Sequence, residues 1–439
     1  MYKSRKVSDP CITIMFYIAK FWGVAPFNLK NNRLSHGSWI NNVYPIIFIL
    51  LLLVITIFVV KSWDGVQYPG QTPWTSTIDV LSFYVGYLAI LACVIRVMRN
   101  KKSIIEINEL LIKIKEPTIV SGRELGYKKK LKILTLQTGF SIIMRIFFDS
   151  LSSVAVVVDL DNFLLLAMGF MHKIMLVTLH VVMIIFLGII YFSKHYFESL
   201  NHTLSNICGS KCESITAQSR RGGQVDEKSA DTRVRNVVIA GIEADFGAIN
   251  DLKSIQILIQ IEREYLDIRT LIEKTVTFFS PLLLLIIADY TSEVFLAIYY
   301  IYNLVYNSSV ATDHKILVTK VGGALSWLLP KVSGLWIIAH VCHSVQEAAN
   351  STADTLYKMW ITNRPKELKD EIKIFFLRLL QKPLHISAYG FFYFDYSYLY
   401  KMFCAVLAYF VIVLQLDSAK SNSHENSSNL TVPDSSVRP

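Results

Sequence analysis

The chain has 439 residues, of which 53% are hydrophobic and only 18% are charged, and its formal net charge is +10. This composition excludes an ordinary soluble enzyme and is typical of a protein that crosses a membrane several times. The basic excess is explained by Lys and Arg on the cytoplasmic side of such a protein, so it does not predict nucleic-acid binding.

The first apolar run starts at Val43, behind the polar and basic residues 1–42. A cleaved signal peptide would carry its apolar part nearer the N-terminus, so we expect residues 1–42 to remain as a cytoplasmic segment. Val43–Val60 has no charged residue and is about long enough to cross a hydrocarbon core of roughly 30 Å. This run is the first predicted span.

Six further apolar runs follow, which gives seven predicted transmembrane helices. They are Ile78–Met98, Ile133–Val158, Phe163–Phe192, Val276–Tyr302, Val321–Val345 and Ser397–Leu416. The chain therefore divides into spans 1–4 (residues 43–192), a cytoplasmic loop and helix (193–275), spans 5–6 (276–345), cytoplasmic helices (346–396), span 7 (397–416) and an extracellular tail (417–439). The predicted fold class is an all-α polytopic membrane protein with cytoplasmic helical extensions.

Basic residues set the predicted orientation, because Lys and Arg accumulate in cytoplasmic loops. They are concentrated before span 1 and between spans 2 and 3: Lys3, Arg5, Lys6, Lys20, Lys30, Arg33, Arg99, Lys101, Lys102, Lys128, Lys129 and Lys130. With seven spans, the N-terminus is then cytoplasmic and the C-terminus extracellular. Glycosylation sequons at Asn307, Asn426 and Asn429 fit this orientation, whereas those at Asn201 and Asn350 fall on the cytoplasmic side, so the motif alone discriminates poorly.

The cytoplasmic segments alternate polar and amphipathic stretches. Residues 209–235 contain almost no apolar residue and are predicted to be disordered. From Ile242 onward the apolar spacing predicts an amphipathic helix that runs into span 5, and Ile372–Gln381 predicts a second one, after a break at Pro365 and before Pro383. Their apolar stripes need a partner, so we expect the two helices to pack against each other.

Motif searches give no candidate for catalysis, because nucleotide-binding, nucleophile-elbow and zinc-protease motifs are missing from the sequence. Cys208 and Cys212 have only His195 and His202 nearby, so free thiols are favoured over a zinc site. No enzyme activity, metal or cofactor is expected. The informative residues are ionisable groups inside the spans, where they are expensive: Asp149, His172, Lys173, His180, Asp289, Glu293 and Lys331.

Several of these groups are predicted to lie at one depth in the outer half of the bundle. His172 and Lys173 lie about 15 Å into span 4 at the rise of an α-helix, and Asp289 lies near the middle of span 5. Lys173 is then expected to pair with Asp149 or Asp289. The predicted ligand site comprises Tyr84, Tyr87, Asp149, His172, Lys173, Asp289, Tyr290, Glu293, Trp327 and Trp336.

Acids, bases and aromatic rings in one cavity suit a sugar or polyol. Charged groups bind hydroxyls through strong hydrogen bonds, and aromatic faces stack on the apolar C–H face of a sugar ring. The alternative is that these groups are dry interhelical ion pairs without a ligand. His180, deeper toward the cytoplasm, is interpreted as structural.

The end of span 7 carries a family motif. Residues 408–416 are AYFVIVLQL, which resembles the signature of insect gustatory receptors: Thr-Tyr, five hydrophobic residues, then Gln-Phe. Ala408 replaces the Thr, and Leu416 replaces the Phe. Phe16–Lys20, with Ala25-Pro26 and Ser38-Trp39, is similar to the start of the fructose-receptor branch of that family.

The resemblance implies the insect chemoreceptor channel fold and a ligand-gated, nonselective cation channel that assembles as a tetramer. D-fructose would be the expected ligand, and the plasma membrane of chemosensory or nutrient-sensing cells the expected location. Expected partners are a sugar or polyol, permeant cations, membrane lipids and further copies of the chain. Span 7 would line the pore with Ala408, Tyr409, Ile412, Gln415, Leu416 and Asp417.

Physical chemistry assigns roles at this end of span 7. A ring of Leu416 side chains can close a pore by dewetting, and Gln415 beside it can hydrogen-bond between subunits or wet the lumen. Asp417 would place about four carboxylates at the outer mouth and favour cations. Lys401, at the inner end, is expected to snorkel to headgroups.

Two other functions remain open at this point. A secondary transporter would show internal repeats with broken helices; Pro281 and Pro330 interrupt spans 5 and 6, but no repeat is evident. The other alternative is a gustatory receptor tuned to a tastant that is not a sugar.

Overall fold

The computed structural model describes residues 25–30, 33–36, 39–63, 73–115, 163–221, 231–306, 314–362 and 365–429, with a few positions before residue 25. Predicted span 3, with Asp149, lies outside the described residues. The helices are α1 (Trp39–Trp63), α2 (Pro73–Arg99), α3 (Lys101–Lys115), α4 (Phe163–Arg221), α5 (Asp231–Tyr306), α6 (His314–Ile361), α7 (Lys366–Gln381) and α8 (Tyr396–Asn429). The strands are β1 (Phe27–Lys30), β2 (Arg33–His36), β3 (Ser387–Ala388) and β4 (Phe392–Tyr393).

Six of the predicted spans coincide with helices: span 1 with α1, span 2 with α2, spans 4 to 6 with α4 to α6, and span 7 with α8. By length and composition, segments of four described helices can cross a membrane: Val177–Ile207, Ser254–Val305, Lys320–Ile361 and Tyr396–Leu416. Trp39–Val54 in α1 is a shorter apolar helix.

Helices α5 and α6 form a long antiparallel pair at the centre of the bundle. Tyr290 of α5 lies beside Gly334 of α6, and the Tyr265 hydroxyl donates to the Ala349 carbonyl at 3.5 Å, further toward the end predicted to be cytoplasmic. Both helices continue through the prolines that we expected to interrupt them, Pro281 and Pro330. Prolines are tolerated in membrane helices because local adjustments and neighbouring side chains can satisfy the backbone groups that they free.

In the segments predicted to be cytoplasmic, α5 and α7 pack against each other as predicted from their apolar stripes. The Tyr265 ring lies between Phe197 of α4 and Phe375 of α7, with centroids 5.0 and 5.8 Å away. Arg378 of α7 also pairs with Glu262 of α5. α7 buries one face, made of Leu368, Ile372, Phe375 and Leu379.

Helix α3 is tied to α5 by two ion pairs. Lys113 contacts Asp267 at 2.7 Å, and Lys274 contacts Glu106 at 2.5 Å. The spacing is seven residues on both helices, which aligns them antiparallel along one stripe. Because these pairs are solvent-exposed, they set orientation more than they add stability.

The two sequons on the predicted cytoplasmic side have structural roles. Asn201 of α4 donates to the Ala348 carbonyl at 2.8 Å and accepts from the Thr352 hydroxyl at 2.6 Å. The side-chain oxygen Oδ1 of Asn350 accepts a hydrogen bond from the backbone N–H of Leu384 at 3.1 Å. Both side-chain amides therefore make hydrogen bonds within the chain.

Two features differ from the sequence-based expectations. α4 continues as a helix to Arg221, and α5 begins at Asp231, so residues 209–221 and 231–235 are helical rather than disordered. Extending an existing helix avoids the cost of nucleation, which polar composition does not reveal. The antiparallel β1–β2 pair, with Phe27 opposite His36, was not predicted within residues 1–42.

Candidate functional site

A cluster of buried charges joins α5 and α6. Asp289 and Glu293 are one helical turn apart on α5, so both side chains project from the same face. Lys331 of α6 forms an ion pair with Glu293, and its Nζ lies 3.7 Å from Asp289 Oδ2. None of the three residues is more than 1% exposed.

Aromatic groups complete the cluster and bring in α4. Lys331 Nζ lies 4.7 Å from the centroid of the Tyr290 ring, within the range of a cation–π contact. The Tyr290 hydroxyl is 3.5 Å from His180 Nδ1 on α4. His180 was interpreted as structural, and its contact adds a third helix to the cluster.

Gly334 allows this close approach, and Gly86 lies on another side of the cluster. A Cβ on Gly334 would come within 2.8 Å of the Tyr290 ring, so only glycine fits beside it in α6. A Cβ on Gly86 of α2 would lie 3.5 Å from Asp289 Oδ1, which shows that α2 covers the cluster on another side. The cluster is therefore enclosed by α2, α4, α5 and α6.

The intact cluster adds little net stability, but breaking it costs much more. Burying three ionised groups costs several kcal/mol for each ion, and their mutual attraction repays this only with good geometry. Removing one partner leaves an uncompensated buried charge, at a cost of about 3–5 kcal/mol. The same groups can bind hydroxyls of an inserted ligand by charge-assisted hydrogen bonds.

The structure brings together three of the predicted ligand residues: Asp289, Tyr290 and Glu293. Tyr87 is also buried, next to Gly86 on α2. Tyr84 and Trp336 lie outside the cluster, at 44% and 51% exposed.

Trp336 lies about 140° around α6 from Lys331 at 3.6 residues per turn. Its ring stacks on His340, with centroids 5.0 Å apart and planes within 2°. The side chains of His172, Lys173 and Trp327, and all of Asp149, lie outside the described residues.

Lys331 is the residue that sequence reasoning missed, because Asp289 was expected to pair with Lys173. The positions of Glu293 and Lys331 within their predicted spans did indicate that the two residues could meet. Span 5 runs outward and span 6 inward, Glu293 lies nine residues before the end of one, and Lys331 lies ten residues after the start of the other. Equal distances from the same membrane face place the two side chains at one depth.

Helix α8 is covered far less than α4, α5 and α6 are, and α1 is also mostly exposed. Only 6% of its most apolar 18-residue window is buried, compared with 67% for α4 and 56% for α5. The predicted pore residues Ala408, Tyr409, Ile412, Gln415 and Leu416 are all exposed. The helix continues past Asp417, whose side chain is not among the described ones.

The profile of the family described as 7tm Chemosensory receptor matches residues 12–420. Relatives from Drosophila melanogaster include Gustatory receptor 68a, 29% identical over 106 residues, and Gustatory and pheromone receptor 32a, 31% identical over 101. A third is Gustatory and pheromone receptor 39a, isoform D, 36% identical over 100 residues. These alignments cover 23–24% of this chain and 27%, 22% and 26% of the three relatives, so the chain matches about a quarter of each.

Solved structures give the fold over most of the chain. The insect olfactory receptor OR5 from Machilis hrabei superposes with a TM-score of 0.62 at 15% identity and covers 92% of this chain and 97% of that one. Its complex with eugenol gives 0.63 at 14% identity with the same coverage. The predicted all-α membrane fold is confirmed, and the chain belongs to the seven-transmembrane chemosensory receptors, in the insect gustatory receptor family.

Proposed function

We propose that this chain is the subunit of a ligand-gated, nonselective cation channel in the plasma membrane, opened by a sugar or polyol, with D-fructose the first compound to test. The observation that carries the proposal is the uncovered last helix. Of the four described helices that are long and apolar enough to span a membrane, α4, α5 and α6 bury 67%, 56% and 41% of their most apolar window within their own chain, whereas α8 buries 6%. The shorter apolar helix α1 is also mostly exposed, so the family motif in α8 selects α8 over α1 for the pore.

An apolar helix that its own chain does not cover faces either lipid or neighbouring copies of the chain. A single helix cannot enclose a pore, so symmetry-related copies of α8 must surround it, and four copies are proposed from the family resemblance. Ile412 and Leu416, one turn apart and both 49% exposed, would then form apolar rings that close the pore by dewetting. Gln415 would wet the open lumen, and Asp417 would attract cations at its outer mouth.

The ligand would bind at the cluster of Asp289, Tyr290, Glu293 and Lys331. This cluster offers both charge signs and an aromatic face, which together suit a polyol. Asp149, His172, Lys173 and Trp327 are proposed to complete the pocket from α4, α6 and span 3. Because the cluster is closed to solvent, ligand entry would have to separate Lys331 from its carboxylates, and that separation is the proposed link to gating.

A second ligand class has specific support. Two of the relatives are named gustatory and pheromone receptors, and one structural neighbour is in complex with eugenol, an aromatic compound. A receptor for a less polar tastant would use Tyr290 and the apolar walls and leave the ion pairs intact. Sensitivity of the response to Asp289 therefore separates the two classes.

The test is whole-cell recording from cells that express this chain alone, with a panel of sugars, polyols, bitter compounds and apolar odorants. We expect a sugar or polyol to evoke a dose-dependent, weakly cation-selective current that is absent in untransfected cells. Saturable uptake without current would instead identify a transporter. Current evoked only by apolar compounds would overturn the polyol assignment and leave the channel assignment in place.

A further inference from the structure

The connection between α7 and α8 presents an exposed aromatic hairpin. β3 and β4 pair with Ser387 opposite Tyr393, and residues 389–391 form the turn between them. The ring-bearing side chains at and beside this turn face outward: Tyr389 is 58% exposed, Phe391 78% and Tyr393 56%. Exposed rings at this density indicate a surface that contacts something apolar.

The hairpin is held rigidly. The side-chain amide of Gln346 donates to the Phe394 carbonyl at 3.2 Å, and its oxygen accepts from the Ile386 N–H at 3.0 Å. Tyr389 adopts a φ of +52°, which a side-chain-bearing residue seldom tolerates, and Gly390 follows at +78°. A costly backbone conformation kept in a well-fixed turn suggests that presenting the aromatic tip has a use.

The depth of the hairpin identifies what covers it. The Ser280 hydroxyl donates to the Ser387 carbonyl at 3.2 Å, and Ser280 lies four residues inside the start of predicted span 5. At 1.5 Å per residue, β3 therefore lies about 6 Å inside the cytoplasmic boundary of the bundle. Aromatic residues are enriched at this level of membrane proteins because their rings prefer the headgroup region.

Charge at the base of the hairpin agrees with this depth. Lys382, just before the hairpin, and Lys401, one turn into α8, are both exposed. Cytoplasmic leaflets are negatively charged, so lysines beside an inserted aromatic tip add attraction to anionic headgroups.

We propose that the tip formed by Tyr389, Phe391 and Tyr393 inserts into the cytoplasmic leaflet and anchors the inner end of α8 to lipid. The anchor joins the pore-lining helix directly, since α8 starts at Tyr396. The Tyr396 hydroxyl also hydrogen-bonds His340 Nδ1 of α6 at 2.7 Å. Lipid contact at the tip would thus bias the position of the α8 start relative to α6.

The test is photo-crosslinking of the full-length receptor in native membranes, with Phe391→p-benzoylphenylalanine in cells fed a clickable phospholipid precursor. The matched control is Tyr357→p-benzoylphenylalanine, because Tyr357 is 49% exposed on α6. It lies eleven residues beyond Gln346, about 16 Å toward the cytoplasm. Tyr393→p-benzoylphenylalanine provides a second tip position if the Phe391 variant does not reach the surface.

We expect the tip variant to carry several-fold more lipid label than the control variant, on a band of monomer mass. A dimer-sized crosslinked band in place of lipid label would show that a second copy covers the hairpin. Lipid label no higher than that of the Tyr357 variant would place the tip in the cytosol. Either of these results overturns the proposal.

Discussion

Lys331 of α6 and Glu293 of α5 form an ion pair in which each side chain is only 1% exposed. The pair limits the relative height of two long helices, since sliding by more than the one turn that separates Asp289 from Glu293 would leave Lys331 without a carboxylate in the membrane. It also connects the proposed ligand cluster to α6. The consequences of breaking it, reversing it or engaging it with a ligand can be measured separately.

Breaking the pair should impair assembly. Lys331→Met leaves Asp289 and Glu293 without their cation, at a cost of about 3–5 kcal/mol, so surface expression should fall strongly. Lys358→Met, at an exposed position of the same helix, is the matched control and should express normally. The charge reversal Glu293→Lys with Lys331→Glu should recover part of the lost surface expression by biotinylation. No recovery would mean that the pairing itself does not hold α5 to α6.

Engagement by ligand should show at Asp289. Asp289→Asn removes a charged partner for a hydroxyl, worth roughly 1.5 to 3 kcal/mol, so the concentration for half-activation should rise about ten- to a hundred-fold. Surface biotinylation measured beside the dose–response curve separates this outcome from misfolding. Reduced expression with unchanged sensitivity would show that the cluster is a structural ion pair without a ligand.

Trp336→Phe distinguishes the large predicted pocket from the compact cluster. Because Trp336 is half exposed and stacks on His340, its substitution should leave the half-activating concentration unchanged. A shift as large as that of Asp289→Asn would place Trp336 in the ligand site after all.

Most helices were predictable, and the reasons are physical. Uninterrupted apolar length identifies a span, and apolar spacing identified α7 and the cytoplasmic part of α5. The two short hairpins were missed because pairs of two to four residues leave little periodicity. Lys331 was missed as a partner because composition gives the depth of a residue but not its facing neighbour, which depends on how adjacent helices align.

Glycosylation should follow the predicted orientation. Peptide N-glycosidase treatment should increase gel mobility of the receptor, and the double variant Asn426→Gln, Asn429→Gln should reduce that shift. Asn201→Gln should leave the shift intact, because the Asn201 amide is bonded to Ala348 and Thr352 inside the bundle. Loss of the shift in Asn201→Gln would place that part of α4 outside the cell.

Permeation should depend on Asp417 in a salt-dependent way. If Asp417 rings the outer mouth, Asp417→Asn should lower unitary conductance mainly at low ionic strength, because salt screens exposed charges over about 10 Å at 0.1 M. Single-channel recording at two salt concentrations measures this. If the ratio of variant to parent conductance is the same in both solutions, Asp417 does not line the pore entrance.

The central claim, that α8 lines the pore and that Leu416 closes it, is tested most directly by basal current. Leu416→Ser should weaken the dewetted barrier and give ligand-independent cation current in cells that express the channel at the surface. Leu407→Ser is the matched control, because Leu407 lies about 180° around the same helix and should not face the lumen. Basal conductance unchanged from the parent in well-expressed Leu416→Ser channels would contradict the claim.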